Sequence, residues 1–501
     1  MALLQQDIIY FILTDRFFGK ANPNPELKKD TNKKNPGYFH GGNIDGIIEK
    51  IPYLKKLGVT VLWITPVYLQ INLSESKGYH GYWALDFNQT DPHFYIDNGN
   101  YPKGSKLYIK DLVDALHAQG IKLMLDMVVN HTGYCHPGLT DSVPNPTPIR
   151  SSWFKKAEVT SKAGEKKVEE LSSLPILDLD ISDVSDYHIN TILDWIKITG
   201  IDAIRMDTVK NVERLFWNDY KTQVRGFYPD VSLLGEALEY DIDKISEFQK
   251  YYAFDSLFDF PMQDAIKKVF LEDQSVNTFV SPLQSGTGLF EKDSHYNNHN
   301  KLATLLDNHD LSARFATWAL IKCKGDKEKA AKAIKLGLSF LFTIRGIPQI
   351  YYGTEIGMQG GADPDNRNDF EWNKFDHDYN VKAEYKFEKD IFDHTCKMIA
   401  IRKENPALTC GNFVYLFVDY FIAVFLRYVE DNVVIIAVHN GWLDMPTSIE
   451  IEVDTILQIP ARIRNLIRHK KMTCQITGET VNIENGELQL RLKAKSAVIL
   501  K

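Results

Sequence analysis

At 501 residues the chain is too long for one compact core, so two or three domains are expected. Its composition, 44% hydrophobic and 25% charged, is that of an ordinary globular protein. A net charge of −8 excludes the basic footprint that nucleic acid or an anionic membrane surface would require, so neither is expected as a partner and a neutral one is the easier reading.

The chain opens on MALLQQDIIYFILTDRFF, without a basic n-region and with its apolar run broken by Gln5, Gln6 and Asp7. No signal peptide is expected in the chain as it stands, and no run of 18 apolar residues suggests a membrane span. A cytoplasmic location follows, although a secreted mature form stripped of its leader would read the same. Five scattered cysteines with no C-x-x-C point away from a disulfide framework or a zinc site.

Eight short, β-branched and apolar runs follow in order, at 8–13, 59–64, 121–129, 201–206, 231–234, 252–260, 302–306 and 347–352. Between them lie helical patterns. Ile44, Ile47, Ile48, Ile51, Leu54 and Leu57 keep the 3.6-residue period, as do Ile109, Leu112, Val113 and Leu116. Gly58, Gly120 and Gly200 stand where a helix ends in a left-handed residue before the next strand. Strand, helix, glycine, strand is the rhythm of parallel βαβ units, and eight strands buried on both faces predict a closed (β/α)8 barrel. A doubly wound sheet is the competing fold, but no glycine-rich phosphate loop follows any strand.

The rhythm breaks between His131 and about Ser182, a stretch rich in Pro, Ser and Lys, which predicts an inserted subdomain over 132–182. The barrel then takes 1–131 and 183–405. From 406 to 501 the pattern alternates with period two, as in VYLFVDYFIAVFLRYV and NVVIIAVHN, and predicts a separate antiparallel β-domain.

Charged residues that close apolar strands mark candidate chemistry, because barrel active sites gather at the strands' C-terminal ends. Asn130 and His131 close the third strand, Arg205 and Asp207 share a face of the fourth, Glu236 closes the fifth, and Asp307, His309 and Asp310 close the seventh. Such a cluster suits glycoside hydrolysis, in which one carboxylate attacks the anomeric carbon and another protonates the leaving oxygen. Arg205 is expected to hold Asp207 ionised, leaving Glu236 with less support and able to stay protonated. The competing reading is a structural ion-pair network at the barrel rim. Two tempting motifs carry nothing. DPDNRNDFEWNK (363–374) lacks the glycine and glutamate of an EF-hand, and HYNNHN (295–300) has no cysteine or carboxylate cluster beside it.

The segments DMVVNH (126–131), GIDAIRMDTVK (200–210), LLGEAL (233–238) and LLDNHD (305–310) resemble the four signature segments of the α-amylase family, family 13 of the glycoside hydrolases. YHGYW (79–83), LDLD (177–180) and GGADPDNR (360–367) resemble further segments in the family's order. The resemblance implies a barrel, a B domain inserted after strand three and a C-terminal β-sandwich. It implies Asp207 as nucleophile, Glu236 as general acid/base and Asp310 as the third carboxylate. Arg205, His131 and His309 would be partners of the reacting sugar, Tyr82 would stack on it with Trp83 beside, Lys210 would lie on the leaving-group side, and Asp363 and Arg367 on the non-reducing side. The resemblance further implies calcium, held by Asn130, Asp178 and the backbone carbonyl of Asn211.

Within the family the pattern is closest to α-amylases and the core of cyclodextrin glucanotransferases. Those transferases carry aromatic residues where this chain has Leu174 and Leu238, and bear further domains beyond the third. Cyclomaltodextrinases and neopullulanases carry a module before strand one. The expectation is therefore a monomeric endo-acting α-1,4 hydrolase of starch, glycogen and maltooligosaccharides, with transglycosylation the alternative and a non-catalytic sugar-binding subunit a third reading.

Overall fold

The computed structural model describes residues 2–140, 145–155, 173–252, 254–280, 288–445 and 448–501. The eight apolar runs become strands β1 (Ile9–Ile12), β2 (Val61–Ile64), β3 (Lys122–Met127), β4 (Ala203–Met206), β5 (Ser232–Gly235), β6 (Ser256–Leu257), β7 (Ala303–Leu305) and β8 (Ile347–Tyr351). They pair in parallel in the order β6-β5-β4-β3-β2-β1-β8-β7, and a parallel bridge from Phe258 to Ala303 joins the two ends. The barrel is closed, as the burial of whole strands requires.

Seven of the eight strands are shorter than their apolar runs, and the fifth is as long as its run but shifted by one residue. The helical stretch at 44–57 is two helices, Ile44–Glu49 and Ile51–Leu57. Pro52 has no N–H to continue the first, and Lys50 between them leaves the helical region (φ −94°, ψ 6°). Gly58 and Gly200 close their helices with φ of 95° and 73°, as the pattern predicts.

Between β2 and β3 runs an unforeseen hairpin, Tyr68–Gln70 against Ala84–Thr90, and its loop carries Tyr82 and Trp83. Beyond β3 the chain is laced to the end of the expected insertion. The Leu177 N–H donates to Asn130 O (2.9 Å), with bridges His131–Ile176 and Phe154–Leu177. Much of that insertion, at 141–144 and 156–172, lies outside the described residues. The helix Ser182–Thr199 then returns the chain to the barrel.

The C-terminal region forms two four-stranded antiparallel sheets. Strands β9 (Asn412–Val418), β10 (Ile422–Val429), β11 (Asn432–His439) and β16 (Ser496–Leu500) make the first. Strands β12 (Ile449–Glu452), β15 (Glu487–Leu490), β14 (Thr480–Glu484) and β13 (Lys471–Thr473) make the second. Val424, Leu426 and Ile435 pack with Ile451, Leu488 and Leu490 in a core separate from the barrel's. Two buried arginines cap the helix Lys327–Thr343, Arg402 from the barrel's own helix Lys386–Glu404 and Arg427 from β10, and the second ties this region to the barrel. Arg402 donates to Phe342 O (2.9 Å) and Ile344 O (3.0 Å), and Arg427 donates to Thr343 O (3.0 Å). Among the described residues, no helix is long and apolar enough to cross a membrane.

Candidate active site

A cleft of about 970 Å³ opens at the C-terminal ends of the strands. Its wall includes Asp207, Glu236, Asp310, Tyr82, Trp83, His131, Lys210, His309, Asp363 and Arg367, with Arg205 lying buried beneath. Backbone bonds extend the sheet one residue past its strands. Asp207 N–H donates to Met127 O and Glu236 N–H to Met206 O, both at 2.9 Å, which sets the two carboxyls on neighbouring strand ends. Thr208, next to Asp207, sits in the left-handed region (φ 50°) and donates its N–H to Glu236 Oε2 at 2.9 Å. A non-glycine residue held there is strain of the kind kept at functional sites.

Arg205 is the hub. Its Nη1 lies 2.7 Å from Asp207 Oδ1 and 2.9 Å from Asp126 Oδ1, and its Nη2 lies 3.2 Å from Glu236 Oε2. One guanidinium thus reaches both carboxyls, Asp207 more closely than Glu236. Burial nevertheless outweighs Arg205 at Glu236 and, helped by Asp207 and Asp310, pushes its carboxyl up to about 8.

Asp126 was overlooked in the sequence. It pairs in register with Arg205 across β3 and β4, is fully buried, and accepts from the Tyr82 hydroxyl (2.8 Å) and Trp63 Nε1 (3.2 Å). Burial, against the pull of Arg205, raises it to about 7. A signal was present, since an aspartate buried inside a strand that is apolar but for Lys122 at its start is costly unless something pairs with it.

The Tyr82 hydroxyl also lies 2.8 Å from His309 Nε2, and the two rings stack at 5.4 Å. Burial pushes His309 down to about 3, so the ring is neutral near neutrality, and its 3.4 Å contact with Asp310 is no ion pair. The standing charge beside Asp310 is Arg367, whose Nη2 is 3.3 Å from Asp310 Oδ1 and whose Nη1 is 3.2 Å from Asp363. Burial would lift Asp310, and the Arg367 and Arg205 guanidiniums pull it the other way. Burial also lowers His131, and both its ring nitrogens lack partners, as does His309 Nδ1. Buried, unpaired ring nitrogens lining a cleft invite a ligand rich in hydroxyls.

The remaining candidates divide. Lys210 Nζ donates to Leu238 O at 3.1 Å on the cleft wall, where Leu174 also lies. Asp307, grouped with His309 and Asp310 in the sequence, turns away and accepts from Phe315 N (2.8 Å) and the Thr354 hydroxyl (2.7 Å), which gives it a structural role. In HYNNHN, Asn297 and Asn298 tie the loop to Gln249. Asn130 is buried with its amide nitrogen unpartnered, and the Asn130–Leu177 backbone bond fixes the chain immediately before Asp178. Asn211 lines the cleft. A carboxamide, one carboxylate and a carbonyl fit a hard cation in donor type but bring one charge, and no group of three His, Cys, Asp or Glu is placed for a metal among the described residues.

The model of the alpha-amylase catalytic domain matches residues 11–411. An α-amylase from Anoxybacillus superposes with a TM-score of 0.82 at 31% identity, covering 100% of this chain and 98% of that one. The β/α-amylase of Paenibacillus polymyxa is 29% identical over 98% of this chain but only 37% of its own length. A cyclomaltodextrinase from Geobacillus thermopakistaniensis is also 29% identical, over 83% of this chain and 65% of its own. Identity therefore does not separate the amylases from the cyclomaltodextrinases that the sequence pattern set apart. On the matched domain and the closed barrel together, the chain belongs to the α-amylase family of glycoside hydrolases.

Proposed function

We propose that the chain hydrolyses α-1,4-glucosidic bonds within starch, glycogen and maltooligosaccharides, with retention of the α-anomer. Asp207 attacks the anomeric carbon and Glu236 gives its proton to the leaving oxygen. Glu236 then takes a proton from the water that cleaves the glycosyl-enzyme. Asp310 and the neutral His131 and His309 grip the sugar hydroxyls in the distorted state.

The observation that carries this reading is the single Arg205 guanidinium touching both Asp207 and Glu236. A guanidinium spans only a short gap. The two carboxyls are neighbours on one cation, an arrangement compatible with the roughly 5–5.5 Å separation of retaining enzymes. Glu236 lifted to about 8 is an acid at neutral pH, which the first step needs.

Calcium belongs to the same proposal. Asn130, Asp178 and the Asn211 carbonyl would hold it, tying the inserted segment to the barrel and supplying no chemical step.

A second reading is ring opening of cyclodextrins, favoured by the similarity to a cyclomaltodextrinase. A product profile on soluble starch, pullulan and cyclodextrins separates the two. Maltooligosaccharides of mixed length from starch, with slow cyclodextrin turnover, support endo-hydrolysis. Cyclodextrins consumed much faster than starch reject it in favour of the second reading. An initial β-anomer by NMR rejects retention.

A further inference from the structure

Three loops wall the cleft on the side away from Asp207 and Glu236, and one charged cluster ties them together from beneath. They follow β1, β2 and β8, consecutive strands of the barrel, and bring Gly37, Tyr79 and the ion pair Asp363–Arg367 to the cleft. Asp207 and Glu236 follow β4 and β5, across the barrel.

Arg16, in the short helix Thr14–Phe17 after β1, is buried and touches all three loops. Its Nη2 donates to Pro36 O (2.8 Å) and Tyr38 O (2.9 Å), the carbonyls on either side of Gly37. Its guanidinium lies 4.0 Å from the centre of the Tyr79 ring, and its own carbonyl accepts from Phe370 N–H at 2.9 Å. Asp15 lies 3.1 Å from Arg16 Nε and accepts the backbone N–H groups of His40 (2.8 Å) and Gly41 (3.0 Å).

His40 closes the cluster, and its ring cannot satisfy both charged neighbours at once. Nε2 lies 3.1 Å from Asn35 O, which can only accept, so Nε2 carries a proton. Nδ1 lies 2.6 Å from Arg16 Nη1 and 2.6 Å from Asp369 Oδ1. Without a proton, Nδ1 accepts from Arg16 and faces a bare carboxylate. With one, it donates to Asp369 and faces a guanidinium N–H. The first state couples the ring to Arg16, and so to the walls after β1 and β2. The second couples it to the loop two residues past Arg367. The charged and titratable groups around the ring are Asp15 and Arg16 from the helix after β1, Tyr79 across Arg16 from the hairpin after β2, and Asp369 from the loop after β8.

We propose that Arg16 and His40 are positioning residues for the substrate, holding the Gly37–Tyr79 wall in register with Asp363 and Arg367, and that a proton on His40 Nδ1 loosens that hold. Neither residue touches a reacting atom, so the effect falls on glucan binding and not on the chemical step. This rests on the α-glucan reading of the cleft.

The test is steady-state hydrolysis of maltoheptaose by the full-length protein between about pH 5 and pH 8, where histidines exchange protons. In the wild type KM should rise several-fold as pH falls, because Arg16 Nη1 loses its acceptor. His40→Asn, which does not titrate, should raise KM about tenfold at the alkaline end and leave kcat within about twofold. Asp369→Asn removes the carboxylate that rewards the Nδ1 proton, and should flatten the rise in KM. Melting curves are the folding control, and Asp369→Asn, at a side chain 40% exposed, carries the test alone if His40→Asn does not fold. A KM profile that Asp369→Asn leaves unchanged overturns this inference, as does a His40→Asn loss confined to kcat. Both leave the cleft reading intact, since the wild type still cleaves maltoheptaose. A wild type that does not cleave it overturns both.

Discussion

Asp207 and Glu236 share one cation but not one environment, and the difference sets what each can do. Asp207 lies 2.7 Å from Arg205, whereas Glu236 stands at 3.2 Å and is lifted to about 8 by burial and by its acidic neighbours. Replacing Asp207 by Asn keeps the shape and removes the proposed nucleophile. Starch hydrolysis should fall by roughly four orders of magnitude or more while the melting curve stays put, and near-wild-type turnover in purified protein would reject the assignment. The acid works only while protonated, so kcat/KM should decline as pH rises through about 8. Asp126 bears on this limb through Arg205, where it competes with Glu236 for the guanidinium. Asp126→Asn removes a negative charge and frees Arg205 for Glu236, so the Glu236 carboxyl should ionise more readily. The basic limb should then move to lower pH, by about one unit or less, along with a loss in kcat. A lower rate with an unmoved limb would make Asp126 a packing residue only.

At the scale of elements, what could be read from sequence was what periodicity and strand ends encode. All eight barrel strands and the switch to antiparallel sheets were legible, because strands buried on both faces are continuous apolar runs. The cleft carboxyls were legible because each closes such a run. The break at Lys50 was hidden inside a correct helical period, and the hairpin carrying Tyr82 is too short and mixed in character to stand out. Asp126 and Asp307 exchanged importance, since the side to which an aspartate turns depends on its partners across the barrel. The strip joining Asn130 to Leu177 carries a prediction of its own. If calcium binds Asn130, Asp178 and the Asn211 carbonyl, it stabilises the folded chain by mass action, about 2.7 kcal/mol at a hundredfold excess over Kd. EDTA should therefore lower Tm by several degrees and added calcium should restore it. An unmoved curve, with no calcium found by elemental analysis, rejects the site.

For the whole molecule the open matter is what intercepts the glycosyl-enzyme, water or a sugar hydroxyl. Family membership does not decide it, since amylases and a cyclomaltodextrinase match this chain at similar identity. The cleft wall bears on it more directly. Beside Lys210, Leu238 is 36% exposed and lines the cleft together with Leu174. Two leucines offer apolar area but no flat ring on which a sugar face can lie, and an aromatic contact of that kind is worth on the order of 1 kcal/mol. An acceptor should therefore be held loosely there, and water, at far higher concentration, should reach the intermediate first. Starch should yield linear maltooligosaccharides with little or no cyclodextrin. Replacing both leucines by Phe or Tyr should raise the transfer-to-hydrolysis ratio several-fold, since two such contacts at about 1 kcal/mol each amount to more than a tenfold gain in acceptor binding if fully additive. Chromatography of products from the wild type and the double variant measures both quantities. Cyclodextrin as a major wild-type product, or a ratio unmoved by the two rings, would show that the acceptor is held by something other than these positions.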